Sequence, residues 1–160
     1  MSSSLVRLLR ELSGREIDYV VVGGMAAVLQ GAPVVTADVD IVHRRSEKNV
    51  AKLLELLREL KATFRYDNRG LVPNETHLMG SGHVLLKTSL GPLDVLCEVN
   101  EESYEELVDV ATEMSLGEGL SVQVVRLEKL IEQKTAANRP KDQMALPTLR
   151  ATLEELERRK

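Results

Sequence analysis

Two aspartates set two residues apart in an otherwise apolar run, Asp38-Val39-Asp40-Ile41-Val42, constrain this chain more than any other feature. Asp is depleted in strands, yet the β-branched neighbours make a strand at about 38–43 the natural reading. Side chains in a strand alternate with a period of two, so Asp38 and Asp40 share one face, with Cα atoms roughly 6.5 Å apart. Val39 and Ile41 share the other face. Two like charges so close and partly sheltered are unfavourable unless one takes a proton or a cation lies between them. A hard divalent ion, Mg2+ or Mn2+, bound through oxygen is the usual solution. The residues alone are equally compatible with Asp38 capping a turn after Thr36-Ala37 and with Asp40 solvated on an edge strand.

A third carboxylate interrupts a later apolar run in the same way. Over a strand at about 93–99, Leu93, Val95, Cys97 and Val99 lie on one face, and Asp94, Leu96 and Glu98 on the other. Asp94 completes a cluster if this strand lies beside the first carboxylate strand, and Glu98 is a weaker candidate for the same role. Three converging carboxylates are what two-metal phosphoryl or nucleotidyl transfer requires. Asp94 also fits as a turn residue after Gly91-Pro92. Upstream, the run Ile17 to Val22 ends in Gly23-Gly24 and leads straight into helix formers at 25–30. This arrangement exposes unhindered backbone N–H groups where an anionic phosphate could sit. Many glycine pairs simply turn a chain, and the third glycine of a dinucleotide fingerprint is missing.

The rest of the chain reads as one mixed α/β (α+β) domain over 1–160, with a core at about 15–125 and C-terminal helices at about 126–160. Leu5, Leu8, Leu9 and Leu12 mark a first short helix. Val50, Leu53, Leu54, Leu57 and Leu60 mark a long one at 47–61, which Ser46 is placed to cap. Residues 64–82 read as irregular, and strands are expected at 83–90 and 120–125. Gly91-Pro92 is expected to form the turn between the 83–90 and 93–99 strands. Ser103 with Glu106 reads as a capping box for a helix to about Ala111. A helix opens at Leu127, and the last starts at Pro140, with Pro147 expected to kink or interrupt it. A twisted mixed sheet with flanking helices, largely on one side, is the expected architecture.

Composition narrows the functional classes. Aromatic residues make up 2% of the chain, without Trp, which argues against a stacking platform for single-stranded bases. A formal net charge of −4, with no long basic stripe, gives no support for bulk electrostatic binding of nucleic acid. The lone Cys97 cannot form an intramolecular disulfide, and Met1-Ser2-Ser3-Ser4 lacks a signal-peptide apolar region. The expected location is cytoplasmic.

Tyr19 to Gly24, thirteen intervening residues and then Asp38-Val39-Asp40-Ile41 resemble the signature of the polymerase-beta-type nucleotidyltransferase superfamily. The stretch from Gly23 through Gly31 and Thr36 to Ile41 is most similar to the small bacterial AbiEii-like branch. Lys134 to Asp142 resembles that branch's late Lys and Arg-x-Lys-Asp segment. The resemblance implies transfer of an NMP group from an NTP such as ATP to a hydroxyl or phosphate acceptor, which could be tRNA, protein or a small molecule. A toxin-antitoxin or phage-defence setting, with a cognate partner, belongs to the same implication. It also implies that Gly23, Gly24, Thr36, Lys134 and Arg139 hold the nucleotide, with Lys134 facing the phosphates. Asp38, Asp40 and Asp94 become metal ligands and catalytic residues, Asp94 being a possible base. From the residues alone, Lys134, Arg139, Lys141 and Asp142 also fit an exposed helix junction with local ion pairs. Gln30 and Val35 stand where many relatives have His and Arg. The competing reading is a non-catalytic nucleotide- or partner-binding protein with the same fold. A Rossmann-like domain is disfavoured, because its acidic residue would stand alone.

Overall fold

The computed structural model describes residues 3–160. The leucines at 5, 8, 9 and 12 lie on α1 (Ser3–Gly14), and all four are buried. β1 (Tyr19–Val22) leads directly into α2 (Gly23–Leu29), and β2 (Val39–His43) carries Asp40, with Asp38 immediately before it. α3 (Glu47–Glu59) buries Val50, Leu53, Leu54, Leu56 and Leu57, and the Ser46 side chain accepts a hydrogen bond from the Asn49 N–H, as a cap should. The stretch expected to be irregular contains two short elements, β3 (Thr63–Phe64) and α4 (Glu75–Met79).

The hairpin of β4 (Val84–Thr88) and β5 (Gly91–Leu96) turns at Ser89-Leu90 rather than at Gly91-Pro92. Gly91 is the first residue of its strand and adopts φ +118, a conformation open to glycine, while Thr88 Oγ1 donates to the Gly91 carbonyl at 2.7 Å. β5 ends at Leu96, and residues 97–99 lie outside it. After α5 (Tyr104–Asp109) comes a strand absent from the sequence expectation, β6 (Ala111–Gly117), paired antiparallel with β7 (Leu120–Val125). α6 (Leu127–Ala137) and α7 (Pro140–Arg158) complete the chain. Pro147 does not interrupt α7. It faces solvent, where the carbonyl freed by its missing N–H can be hydrated, while Leu146 and Leu149 stay buried on the opposite side.

Among the described residues, seven strands form one sheet in the order β3-β4-β5-β2-β1-β7-β6. β1 and β2 run antiparallel although a helix joins them, whereas β2–β5 and β1–β7 are parallel. This mixed pattern excludes an all-parallel Rossmann sheet. Tyr19, Val20, Val21 and Val22 are all buried, and successive residues point to opposite faces, so β1, an inner strand, is covered on both sides rather than largely on one. α1 covers the Tyr19 side, where Tyr19 Oη shares a 2.6 Å hydrogen bond with Ser13 Oγ.

One buried polar residue locks the register of the central pair. Asn49, 4% exposed, accepts from the Asp18 N–H at 2.7 Å and donates to the Asp18 carbonyl at 3.0 Å and the Arg44 carbonyl at 2.9 Å. It thereby ties the first turn of α3 to the far end of the β1–β2 ladder. At the near end of that ladder Val22 faces Asp40. Asn49→Ala should cost about 2–3 kcal/mol in urea denaturation, because the Asp18 N–H would lose its buried partner. A cost below about 0.5 kcal/mol, as for an ordinary surface change, would refute this role.

Candidate active site

The carboxylate cluster follows from strand register. β2 and β5 are parallel neighbours, with Val39 beside Leu93, Asp40 beside Asp94 and Ile41 beside Val95. Val39, Ile41, Leu93 and Val95 are fully buried in the core beneath the sheet. The alternating period then forces Asp40 and Asp94 onto the opposite face, side by side. Asp38 precedes the strand and completes the group: one carboxylate oxygen from each of the three lies within 4.8 Å of the others. The side chains of Asp38 and Asp94 are 34% and 15% exposed, so this charge is only partly hydrated.

The electrostatics match that crowding. Burial, the negative charge of Asp38 and a hydrogen bond shared with Asp94 push the Asp40 carboxyl up to about 8. Burial and the charge of Asp94 also raise Asp38, against the pull of Arg65 and Lys141. Asp40 Oδ1 is buried without a hydrogen-bond partner. An orphaned carboxylate oxygen facing two other carboxylates is a donor set suited to a hard divalent cation.

Gly23 lies against this group. It adopts φ +64, and a Cβ at its position would overlap Asp40 Oδ2, so no other residue fits there without moving the carboxylate. At Gly24 a Cβ would meet Thr36 Oγ1 at 3.0 Å. Thr36 donates to the Asp38 carbonyl at 3.1 Å, so the glycine turn and the loop before β2 are packed together.

These residues line a cleft of about 1120 Å³. On its other side stand Lys134, Arg139 and Lys141, from the end of α6 and the start of α7. Asp142, fully buried, fixes two of them: Arg139 Nε donates to Asp142 Oδ2 at 2.7 Å, and Lys134 Nζ lies 3.5 Å from Oδ1. Burial opposes the Asp142 charge, but Arg139, through its guanidinium and backbone N–H, outweighs it and holds the carboxyl below its ordinary range. The late segment is therefore both a helix junction with ion pairs and a basic wall of the cleft. All the residues expected at the site, Gly23, Gly24, Thr36, Asp38, Asp40, Asp94, Lys134 and Arg139, line it together. Glu98 lines the cleft as well, but beyond the end of β5 and outside the three-carboxylate group.

Two findings lay beyond the sequence expectation. Arg65, just after β3, donates through Nη2 to Asp94 Oδ1 at 2.7 Å and through Nη1 to the Leu86 carbonyl at 2.6 Å. Gln30 is a structural hub outside the cleft lining: its Nε2 donates to the Ala26 and Val125 carbonyls at 2.9 and 2.8 Å, and its Oε1 accepts from the Leu127 N–H at 3.0 Å. Gln30 thus joins α2, β7 and α6, whereas Val35 is fully exposed at the cleft edge.

No family model and no curated protein matches the chain. Solved structures do. The lincosamide antibiotic adenylyltransferase LnuA, in its lincomycin-bound form, superposes with a TM-score of 0.65 at 14% identity, over 95% of this chain and 98% of that one. The antibiotic-resistance factor ANT(2'')-Ia gives 0.59 at 15% identity, over 96% and 83%. A Thermotoga maritima protein described as a nucleotidyltransferase gives 0.58 at 19% identity, over 94% and 92%. This mixed sheet with its flanking and C-terminal helices is the fold of nucleotidyltransferases.

Proposed function

We propose that the chain is a polymerase-beta-type nucleotidyltransferase that moves an NMP group from an NTP to a hydroxyl or phosphate acceptor. The observation that carries this reading is the pairing of Asp40 with Asp94 in register, with Asp38 within reach and Gly23 pressed against Asp40. A ligand-binding protein has little use for three mutually repelling carboxylates facing a basic wall across one cleft; phosphoryl chemistry uses both.

In this reading, the backbone N–H groups at Gly23-Gly24 and the cations of Lys134, Arg139 and Lys141 take up the triphosphate. Asp38, Asp40 and Asp94 would hold Mg2+ or Mn2+, which when bound supplies charge neutralisation for the leaving pyrophosphate and acidity for the attacking hydroxyl. The acceptor oxygen forms its bond to the α-phosphorus as the bond to pyrophosphate breaks. Asp142 holds Lys134 and Arg139 by ion pairs where they line the cleft. The neighbours described as a lincosamide antibiotic adenylyltransferase and as an antibiotic-resistance factor support a small molecule as one acceptor class, beside RNA and protein. The segments shared with the AbiEii-like branch support a toxin-antitoxin or phage-defence setting.

Incubation with each α-labelled NTP, Mg2+ and, separately, total tRNA, cell protein or lincomycin should label one acceptor class and release pyrophosphate. Asp38→Asn should reduce labelling by about 100-fold or more, as loss of a charged group from a preorganised site does. Equal labelling by wild type and variant would contradict the proposal, as would absence of pyrophosphate release from every NTP.

The metal-free protein should also show the cost of the cluster. With its folded-state pKa raised from 3.8 to about 8, Asp40 favours the native state most below about pH 4 and loses that contribution as pH rises toward 8. Asp40→Asn lacks this titration, so its melting temperature should gain on the wild type from pH 5 to pH 8 in EDTA. At pH 8, Mg2+ should raise the wild-type melting temperature and have much less effect on the variant. Parallel pH profiles and identical metal shifts would count against a cation site.

A further inference from the structure

Arg65 stands where the carboxylate cluster needs positive charge. Its backbone N–H donates to the Leu85 carbonyl at 2.9 Å and its Nη1 to the Leu86 carbonyl, so β4 fixes the residue at two points. Its guanidinium lies over the ring of Tyr66, 5.0 Å from the centroid, at the rim of the cleft. Nη2 is then left to reach Asp94 Oδ1 at 2.7 Å and to approach Asp38 Oδ2 at 3.9 Å. With 18% of its side chain exposed, the guanidinium is a fixed and poorly hydrated charge rather than a mobile surface one. Asp40 is the member of the cluster that it does not reach, and Asp40 keeps the orphaned oxygen.

We propose that Arg65 is a built-in counter-ion of the cluster, whose guanidinium competes with a divalent cation for Asp94 and Asp38. The inference rests on the reading of the three aspartates as a cation site. An arginine held this close acts on a cation in two ways, both unfavourable: it occupies a ligand oxygen, and it adds like charge at short range. The opposing effect, fixing Asp94 in place, is weaker, because β5 already sets its position by register with Asp40. In the resting protein Arg65 therefore balances part of the charge on Asp94 and Asp38, beside the cations Lys134, Arg139 and Lys141 that line the same cleft, and leaves Asp40 unpaired.

The test is equilibrium Mn2+ binding, followed by the electron paramagnetic resonance signal of the free ion, with no nucleotide present. Arg65→Gln should bind Mn2+ about tenfold or more tightly than the wild type, the change expected when a charge-assisted hydrogen bond no longer competes. In an Asp94→Asn background the same substitution should yield a clearly smaller gain, which a merely structural brace would not produce. Equal or weaker binding by Arg65→Gln overturns the proposal, and so does an undiminished gain without Asp94. If neither wild type nor Arg65→Gln binds Mn2+, the cation site itself falls and takes the proposal with it. Measurable but unchanged affinity refutes the role of Arg65 alone. Melting curves check folding. Should Arg65→Gln fail to fold, Arg65→Lys serves instead: loss of the two-point fork should tighten Mn2+ binding, and unchanged affinity there refutes the proposal.

Discussion

Mutual repulsion among Asp38, Asp40 and Asp94 is the constraint around which the rest of this molecule is arranged. Carboxylates with oxygens within 4.8 Å of one another do not gather by themselves, and the fold must hold them there. It does so with apolar packing. Val39, Ile41, Leu93 and Val95 are buried on the other face of the same two strands, and sliding either strand by one residue would put these side chains into the cleft and the aspartates into the core. Hydrophobic burial on one face thus stabilises an electrostatic conflict on the other, and the Asn49 clamp ties β2 to β1 at the far end of their own ladder.

The conflict is moderated from three directions. Arg65 pairs with Asp94 from the β4 side, Lys134 and Arg139 face the cleft from the α6–α7 junction, and Asp40 rises toward neutrality. Asp142 carries out the same operation in reverse, as a buried anion that organises cations. A cleft with carboxylates on one side and cations on the other suits a bound cation together with a polyanion, the pairing that an NTP with its magnesium presents. The formal net charge of −4 does not reveal this, because the complementarity is local.

Much of the site was legible because its signals are local. Gly23-Gly24 after a β-branched run, and Asp38 and Asp40 two residues apart beside β-branched neighbours, mark their places in the fold through local pattern, though that pattern left turn and cap readings open. Asp94 required one assumption, that its strand lies beside the first, and the β2–β5 pairing fulfils it. Arg65 could not be found this way. It sits in a stretch rich in Gly, Pro and Asn, and it meets Asp94 only because β3, β4 and β5 pair in sequence. β6 escaped because Thr112, Glu113 and Ser115 dilute its alternation, leaving Ala111, Met114 and Leu116 as its partly buried apolar contacts at the sheet edge. The turn at Ser89-Leu90 was displaced because Gly-Pro suggests a turn from composition, whereas hairpin register and the positive φ of Gly91 decide where it falls. Gln30 shows a different limit: that it stands where many relatives have His does not reveal that its side chain is engaged with backbone outside the cleft.

The central claim is that these three carboxylates form a cation site serving a triphosphate. The most direct measurement is anomalous diffraction from crystals grown with Mn2+ and a non-hydrolysable NTP analogue. A manganese peak within coordination distance of Asp38 and Asp40, with the triphosphate between Gly23-Gly24 and Lys134, is the expected result. A manganese peak remote from the three aspartates, or a triphosphate bound outside this cleft, would contradict it.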